Sequence, residues 1–391
     1  MDLVTVTTTG GQPEYIYTSL IGANYGSVEH PYVIYSASDF NTYVLEPASS
    51  SGNDKHYIMA CDIDFSEDVI MAESYKINFN GYFEGNAMQI ANLRNSYLNS
   101  NDETSDLSNM GLFRTLDNAV FKNVTIKADE MFGSACQKVG TVAGTIKNSK
   151  VYNISLTGEA IVHGKNMVGG LAGYSENRVI KDIQTELSVN AGYRATNTYL
   201  YESAVADKVS YAGGVVGVLV GSKVQSVSIT NGVTVIGEMV GGGFGLIDKA
   251  SAVSNAKVYV TDDMFIKGIS MIGGLASENR GKIDKSFIQY EEDVQSVIDT
   301  GEAVGYFNTI ANNDYYRVGI TDSNRIDGKA TAIGGLVGFN NGGNISNSYS
   351  KVNIKDEYAL VAGGIVGRSL SGVISNVYAS GTIYIKYSDT T

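Results

Sequence analysis

Apolar and polar residues alternate with a period of two through most of this chain, in stretches too short for anything but small strands. Val124-Thr125-Ile126, Ile154-Ser155-Leu156, Val227-Ser228-Ile229 and Ala256-Lys257-Val258-Tyr259-Val260 each read as a half-buried strand. Helical periodicity is nearly absent. The exception is Ser38-Asp39-Phe40-Asn41-Thr42-Tyr43-Val44-Leu45, where Ser38 or Asp39 is a suitable N-cap and Phe40, Val44 and Leu45 fall on one face. The pattern predicts one short helix early in an all-β chain.

Between the strands a small-residue block recurs. It reads Gly140-Thr141-Val142-Ala143-Gly144, Gly169-Gly170-Leu171-Ala172-Gly173, Gly213-Gly214-Val215-Val216-Gly217 and Gly241-Gly242-Gly243-Phe244-Gly245. It continues as Gly273-Gly274-Leu275-Ala276-Ser277, Gly301-Glu302-Ala303-Val304-Gly305, Gly334-Gly335-Leu336-Val337-Gly338 and Gly363-Gly364-Ile365-Val366-Gly367. Successive spacings are 29, 44, 28, 32, 28, 33 and 29 residues, and a degenerate copy, Met110-Gly111-Leu112-Phe113, lies one period upstream. A second signature follows most blocks: Phe121-Lys122-Asn123, Ile146-Lys147-Asn148, Val253-Ser254-Asn255, Ile345-Ser346-Asn347 and Ile374-Ser375-Asn376, with Ile180-Lys181-Asp182 and Val224-Gln225-Ser226 as looser versions.

A period near 30 residues built from strands and turns predicts a right-handed parallel β-helix of about 11 to 12 coils, stacked at ~4.8 Å. On this reading the glycines take positive φ at corners and let coils approach closely, while the asparagines hold the next corner and bond between coils. A β-propeller is the competing repeat architecture, but 28 to 33 residues are few for four strands. Residues 1–109 read as a lead-in, a cap holding the short helix, and the first coils, with strand segments at Tyr32–Tyr35, Tyr57–Asp64 and Phe79–Asn86. Residues 110–391 read as the repeat helix, continuous with the cap. An open first coil invites pairing with other chains, hence the cap. Ile383-Tyr384-Ile385-Lys386-Tyr387 is still strand-like, so the natural protein is expected to continue past Thr391.

At these blocks the sequence resembles the GLUG-repeat family, named for its Gly-Leu-hydrophobic-Gly core and clearest at Gly169 to Gly173, Gly334 to Gly338 and Gly363 to Gly367. Asp62-Ile63-Asp64, Gly81-Tyr82-Phe83-Glu84-Gly85-Asn86 and Gly111-Leu112-Phe113 resemble the usual opening of such β-helices. The resemblance implies a domain of a bacterial surface adhesin, a pilus-associated protein or the N-terminal region of an immunoglobulin A peptidase, located outside the cell.

With 28 Lys and Arg against 41 Asp and Glu, the net charge of −13 repels phosphate backbones and anionic lipid, so nucleic acid is not expected as a partner. No apolar run of ~18 residues occurs, so no direct membrane insertion is expected. Cys61 and Cys136 lack metal spacing and read as free thiols. His30, His56 and His163 fit no zinc-peptidase motif, and no phosphate-binding loop is present. No cofactor, metal site or catalytic residue is nominated. Asp62 with Asp64, Asp262 with Asp263, and Glu291-Glu292-Asp293 are the carboxylate groupings a lyase or glycosidase on this fold would use, and each also reads as a solvated face or turn.

Insertions are where a solenoid carries recognition. The 44-residue spacing places one around Asn190 to Tyr201, and a smaller surplus surrounds Asn312 to Arg317. Tyr193, Arg194, Tyr199, Tyr201, Tyr315, Tyr316 and Arg317 are the candidate binding residues, being of the types that dominate interface energetics. The expected function is an extracellular adhesive or stalk domain meeting a host protein, a glycan or neighbouring surface-protein subunits. A carbohydrate-active enzyme and a non-catalytic module beside a peptidase are the alternatives.

Overall fold

A computed structural model describes residues 4–6, 14–16, 26–46, 53–65, 77–97, 109–133, 136–192, 210–230, 233–260, 265–268, 270–290, 307–308, 332–356 and 361–385. The alternation is realised as a parallel β-helix. One coil runs through the short strand Met167–Gly169, then Ala172–Glu176, Val179–Thr185 and Ser188–Ala191. Each pairs in parallel with its counterpart one coil on: Met167 with Tyr211, Ala172 with Val216, Val179 with Lys223, Val189 with Val235. The Val179 column runs upward from Tyr32–Ile34 through His56–Met59, Tyr82, Val120, Lys150, Val179, Lys223, Ala252, Lys282 and Asn344 to Val373. That is eleven rungs among the described residues, and ten intervals of ~4.8 Å make a rod ~50 Å long. Strands of the lead-in and of the repeat share one 26-stranded sheet, while the short strands from Asn109–Met110 to Val361–Gly363 stack as an 8-stranded sheet of their own. Apart from these, Val4–Val6 pairs antiparallel with Glu14–Ile16.

The glycine blocks stack as expected: Gly169 pairs with Gly213, then Gly241, Gly273, Gly334 and Gly363. Two expectations need correction. First, Gly273 is the direct partner of Gly334, and the Gly274 amide donates to the Gly334 carbonyl at 3.2 Å, so no rung fits between them. Gly301 and Gly305 lie outside the described residues and are not members of this column. Second, the stacked glycines are not the positive-φ residues. They are glycines because of crowding: a Cβ on Gly169 would lie 2.3 Å from the Ala172 carbonyl oxygen and 2.6 Å from that of Val215.

Positive φ belongs to two other columns. Asn118, Asn148 and Asn177, followed by Gly221, turn the chain after the second strand. Asn123, Asn153, Asp182, Ser226, Asn255, Lys285, Asn347 and Asn376 kink the third strand midway. Asn and Asp tolerate this conformation because their short polar side chains bond locally. The single Asn signature therefore covers two corners, with Asn148 on the first and the rest on the second.

Inside the rod the side chains grade from aromatic to aliphatic. Phe79 stacks on Phe113 with centroids 4.8 Å apart, and Phe83 on Phe121 at 5.0 Å. Higher coils fill the axis mainly with buried Val, Ile, Leu and Ala, with Phe244 as an aromatic exception. The lower end is closed by Ala37–Asp39, an α-helical turn that runs into the π-helical Phe40–Leu45. Its N-cap is Ser36, two residues earlier than Ser38: the Ser36 Oγ accepts from the Asp39 amide at 3.0 Å. Phe40, Val44 and Leu45 are buried, and Phe40 meets Phe65 and Phe83 edge-on. Both cysteines are free thiols, Cys136 buried and Cys61 half-buried.

Candidate functional site

The kink in the third strand lines a concave feature on the surface of the described residues. At each kink the outward residues on either side diverge, and stacking rung upon rung turns the bend into a lateral groove along the rod axis. It encloses about 440 Å³. Its floor carries Asn123, Asn153, Asp182, Ser226 and Asn255, and one wall carries Thr125, Ser155, Gln184, Ser228 and Lys257. These wall residues are direct register partners on five consecutive rungs. Ala87 lies at the lower end and Tyr259 at the upper end.

Floor residues bond up and down the rod. The Asn153 amide donates to Asn123 Oδ1 at 2.9 Å, and the Asn123 amide donates to Glu84 Oε1 at 2.8 Å. Burial raises the proton affinity of Glu84, but hydrogen bonds from Lys122, Asn123 and the Asn86 backbone outweigh it and hold the carboxyl below its usual range. Above the groove centre, the Asn255 amide donates to Ser226 Oγ at 3.2 Å. Asp182 sits between these two ladders and joins neither; its ion pair is with Lys181 at 3.2 Å, half-exposed on the same rung. The groove thus offers alternating amides and hydroxyls with one carboxylate at its middle. A glycosidase requires a pair of carboxyl groups across the scissile bond, and Asp182 is the single carboxylate among the lining residues.

The sequence-predicted carboxylates have other work. Ile63 is fully buried, so Asp62 and Asp64 point outward together. Asp62 Oδ1 accepts from the Gln89 amide at 2.7 Å, and Asp64 Oδ1 accepts from the Asn92 side chain. Both tie one coil to the next. Asp262, Asp263, Glu291, Glu292 and Asp293 lie outside the described residues. Among the described residues, no three His, Cys, Asp or Glu side chains converge on a metal-sized site. His56 stacks on Tyr82, while His163 packs against Phe132, its register partner on the rung below, and burial lowers its pKa to about 4.

Tyr193, Arg194, Tyr199, Tyr201, Tyr315, Tyr316 and Arg317 also lie outside the described residues, but the roots of both insertions are defined. In an ordinary coil two residues join the fourth strand to the next short strand: Lys165-Asn166 after Gly164, Gly237-Glu238 after Ile236. At the first insertion Gly192 and Ser210 occupy these two places. The Gly192 amide donates to the Gly164 carbonyl at 2.8 Å, and the Glu238 amide donates to Ser210 Oγ at 3.0 Å. Residues 193–209 come between them in the sequence. The second insertion, 309–331, falls at the equivalent place in the coil, between the strands Phe307–Asn308 and Ala332–Gly334. Three rungs, or ~14 Å, separate the two roots. Gly301 to Gly305 falls in a separate surplus, residues 291–306, which comes between Phe287–Tyr290 and Phe307–Asn308.

The family model of the GLUG motif matches residues 329–355 and 358–384. Halomucin of Haloquadratum walsbyi is 32% identical over 177 residues, which is 42% of this chain and 2% of that protein's length. A crystal structure described as an immunoglobulin A1 protease from Bacteroides ovatus aligns over 68% of this chain and 79% of its own, at 18% identity and a TM-score of 0.49. Another, described as IgA1 Protease, aligns over 94% of this chain and 22% of its own, at 15% identity and a TM-score of 0.32. The two matched copies are the last two coils, and their Gly334 and Gly363 continue the glycine column of the coils below; these two coils carry the GLUG motif within a chain folded as a parallel β-helix.

Proposed function

We propose that this domain is a non-catalytic, rod-like segment of a bacterial surface or secreted protein, which holds binding insertions toward a host protein, a glycan or a neighbouring subunit. The observation that carries the reading is that two of the long insertions, 193–209 and 309–331, are rooted at the same corner of the rod, three rungs apart. A ladder of parallel strands is stiff, so two segments rooted in this way are presented side by side at a fixed spacing, which favours joint engagement of one partner. The Tyr and Arg content of both segments suits an interface, and the net charge of −13 disfavours nucleic acid. The local similarity to halomucin and the GLUG motif support a place outside the cell. Among the described residues no helix is long and apolar enough to cross a membrane.

The test uses a deletion that the fold itself suggests. Removing residues 193–209 joins Gly192 to Ser210 and recreates the two-residue link of neighbouring coils. In a screen of host-cell proteins and immobilised glycans, the wild-type domain is expected to retain at least one partner that the deletion variant loses, at unchanged thermal stability. Equal binding by both, together with equal binding by the Tyr315→Ala, Tyr316→Ala, Arg317→Ala variant, rejects the reading.

A further inference from the structure

We propose that the lateral groove centred on Asp182 is a binding site for an extended, neutral polysaccharide chain lying parallel to the rod axis. The inference is independent of the insertions, which are rooted at a different corner.

Three observations point to this class of ligand. The groove repeats its polar groups once per rung, at ~4.8 Å, over five rungs. An extended peptide rises ~3.4 Å per residue with side chains alternating, so it falls out of step with such a lattice; an equatorially linked pyranose chain advances by close to one rung per sugar. The groups themselves are of mixed sense: hydroxyls of Ser155 and Ser228 and the amide of Gln184 both donate and accept, as a polyol requires. Finally, the hydrogen-bond ladders that occupy the floor on either side are interrupted at Asp182, whose half-exposed carboxylate is an acceptor for sugar hydroxyls where the coils do not bond to each other. A carboxylate accepting from hydroxyls makes charge-assisted bonds, the strongest available there. The same carboxylate, with the surplus of acidic residues over the whole chain, disfavours anionic polysaccharides.

The test is calorimetric titration of the full chain with β-1,4-linked glucose, mannose and N-acetylglucosamine oligomers from disaccharide to hexasaccharide, with oligogalacturonate as the anionic counterpart. At least one neutral series is expected to bind with affinity that rises with length and levels off at about five units, one per rung. Asp182→Ala is expected to weaken that binding by about tenfold or more, and Gln184→Ala to weaken it less. Both side chains are exposed, but φ at Asp182 is +53°, where alanine strains the backbone; Asp182→Asn, which tolerates that conformation and removes the charge, is therefore measured beside Asp182→Ala and is expected to weaken binding in the same direction while its circular dichroism matches wild type. The variant lacking residues 193–209 is expected to bind these oligomers as wild type does, which separates failure of the groove from failure of the insertions. No binding by any neutral series, binding without length dependence, unchanged affinity in Asp182→Ala, or tighter binding of oligogalacturonate overturns the proposal.

Discussion

Gly169 lies where two carbonyl oxygens from successive turns crowd its α-carbon, so its substitution meets backbone that cannot move aside. Gly169→Ala is expected to destabilise the domain by about 2–4 kcal/mol, because overpacking against main chain forces the coils apart. At Gly243 an added Cβ would lie 3.1 Å from the tip of Leu275 and 3.3 Å from both the tip of Ile229 and the Leu275 carbonyl oxygen, much looser than at Gly169, so alanine should be accepted with a smaller loss. Thermal denaturation of the two variants compares them, and equal losses would contradict the crowding argument. The glycines were legible in the sequence, but their reason was not, since a small residue serves both a left-handed corner and a close approach. Another residue-scale effect is carried by His163. Its folded pKa of about 4 lies below the unfolded value near 6.5, so the unfolded chain takes up a proton first as pH falls. Its contribution is fully present above pH ~6.5 and is lost as the pH drops toward 4. His163→Phe should flatten the melting temperature between these pH values relative to wild type; an unchanged slope would show that other groups set the acid sensitivity.

The kinked third strand is the element on which the groove depends. At Asn123, φ is +56°, and the side chain links Glu84 below to Asn153 above. Asn123→Gly removes the amide alone, whereas Asn123→Ala also forces a Cβ into the left-handed region, at an added cost of about 1 kcal/mol. Urea denaturation should therefore rank wild type above the glycine variant and the glycine variant above alanine; glycine and alanine falling together would mean that backbone strain plays no part. The Asn signature was visible along the chain, but the two corners it serves were not, because Asn148 and Asn123 sit in the same local apolar-polar-Asn context. The groove escaped notice for a related reason: Ser155, Gln184 and Ser228 read one at a time are ordinary outward strand residues, and only register brings them into line. The false rung at Gly301 arose because an insertion about one period long mimics a coil. Glu302 was the available signal, since the equivalent position is a buried Thr141 in one coil and glycine from Gly170 upward, and a glutamate there would be an unpaired buried charge.

At the scale of the molecule, spacing conveyed the solenoid and the place of the first insertion along the chain, because a stacked coil must return to the same place every ~30 residues whatever its side chains. Spacing did not convey which insertions interrupt a coil and which add one. The distinction matters because rod length and insertion separation both follow from rung number rather than chain length. The outward column Gln89, Thr125, Ser155, Gln184, Ser228, Lys257, Phe287, Tyr349 and Tyr378 advances one rung at each step. Pairs of spin labels placed on these positions measure the stacking directly. Gln89 and Ser228 should lie ~19 Å apart, Gln89 and Tyr378 ~38 Å, and Phe287 and Tyr349 a single step of ~5 Å despite the long intervening segment. Distances that follow sequence separation instead, or a Phe287 to Tyr349 gap of two rungs or more, would contradict a continuous β-helix with its insertion inside one coil.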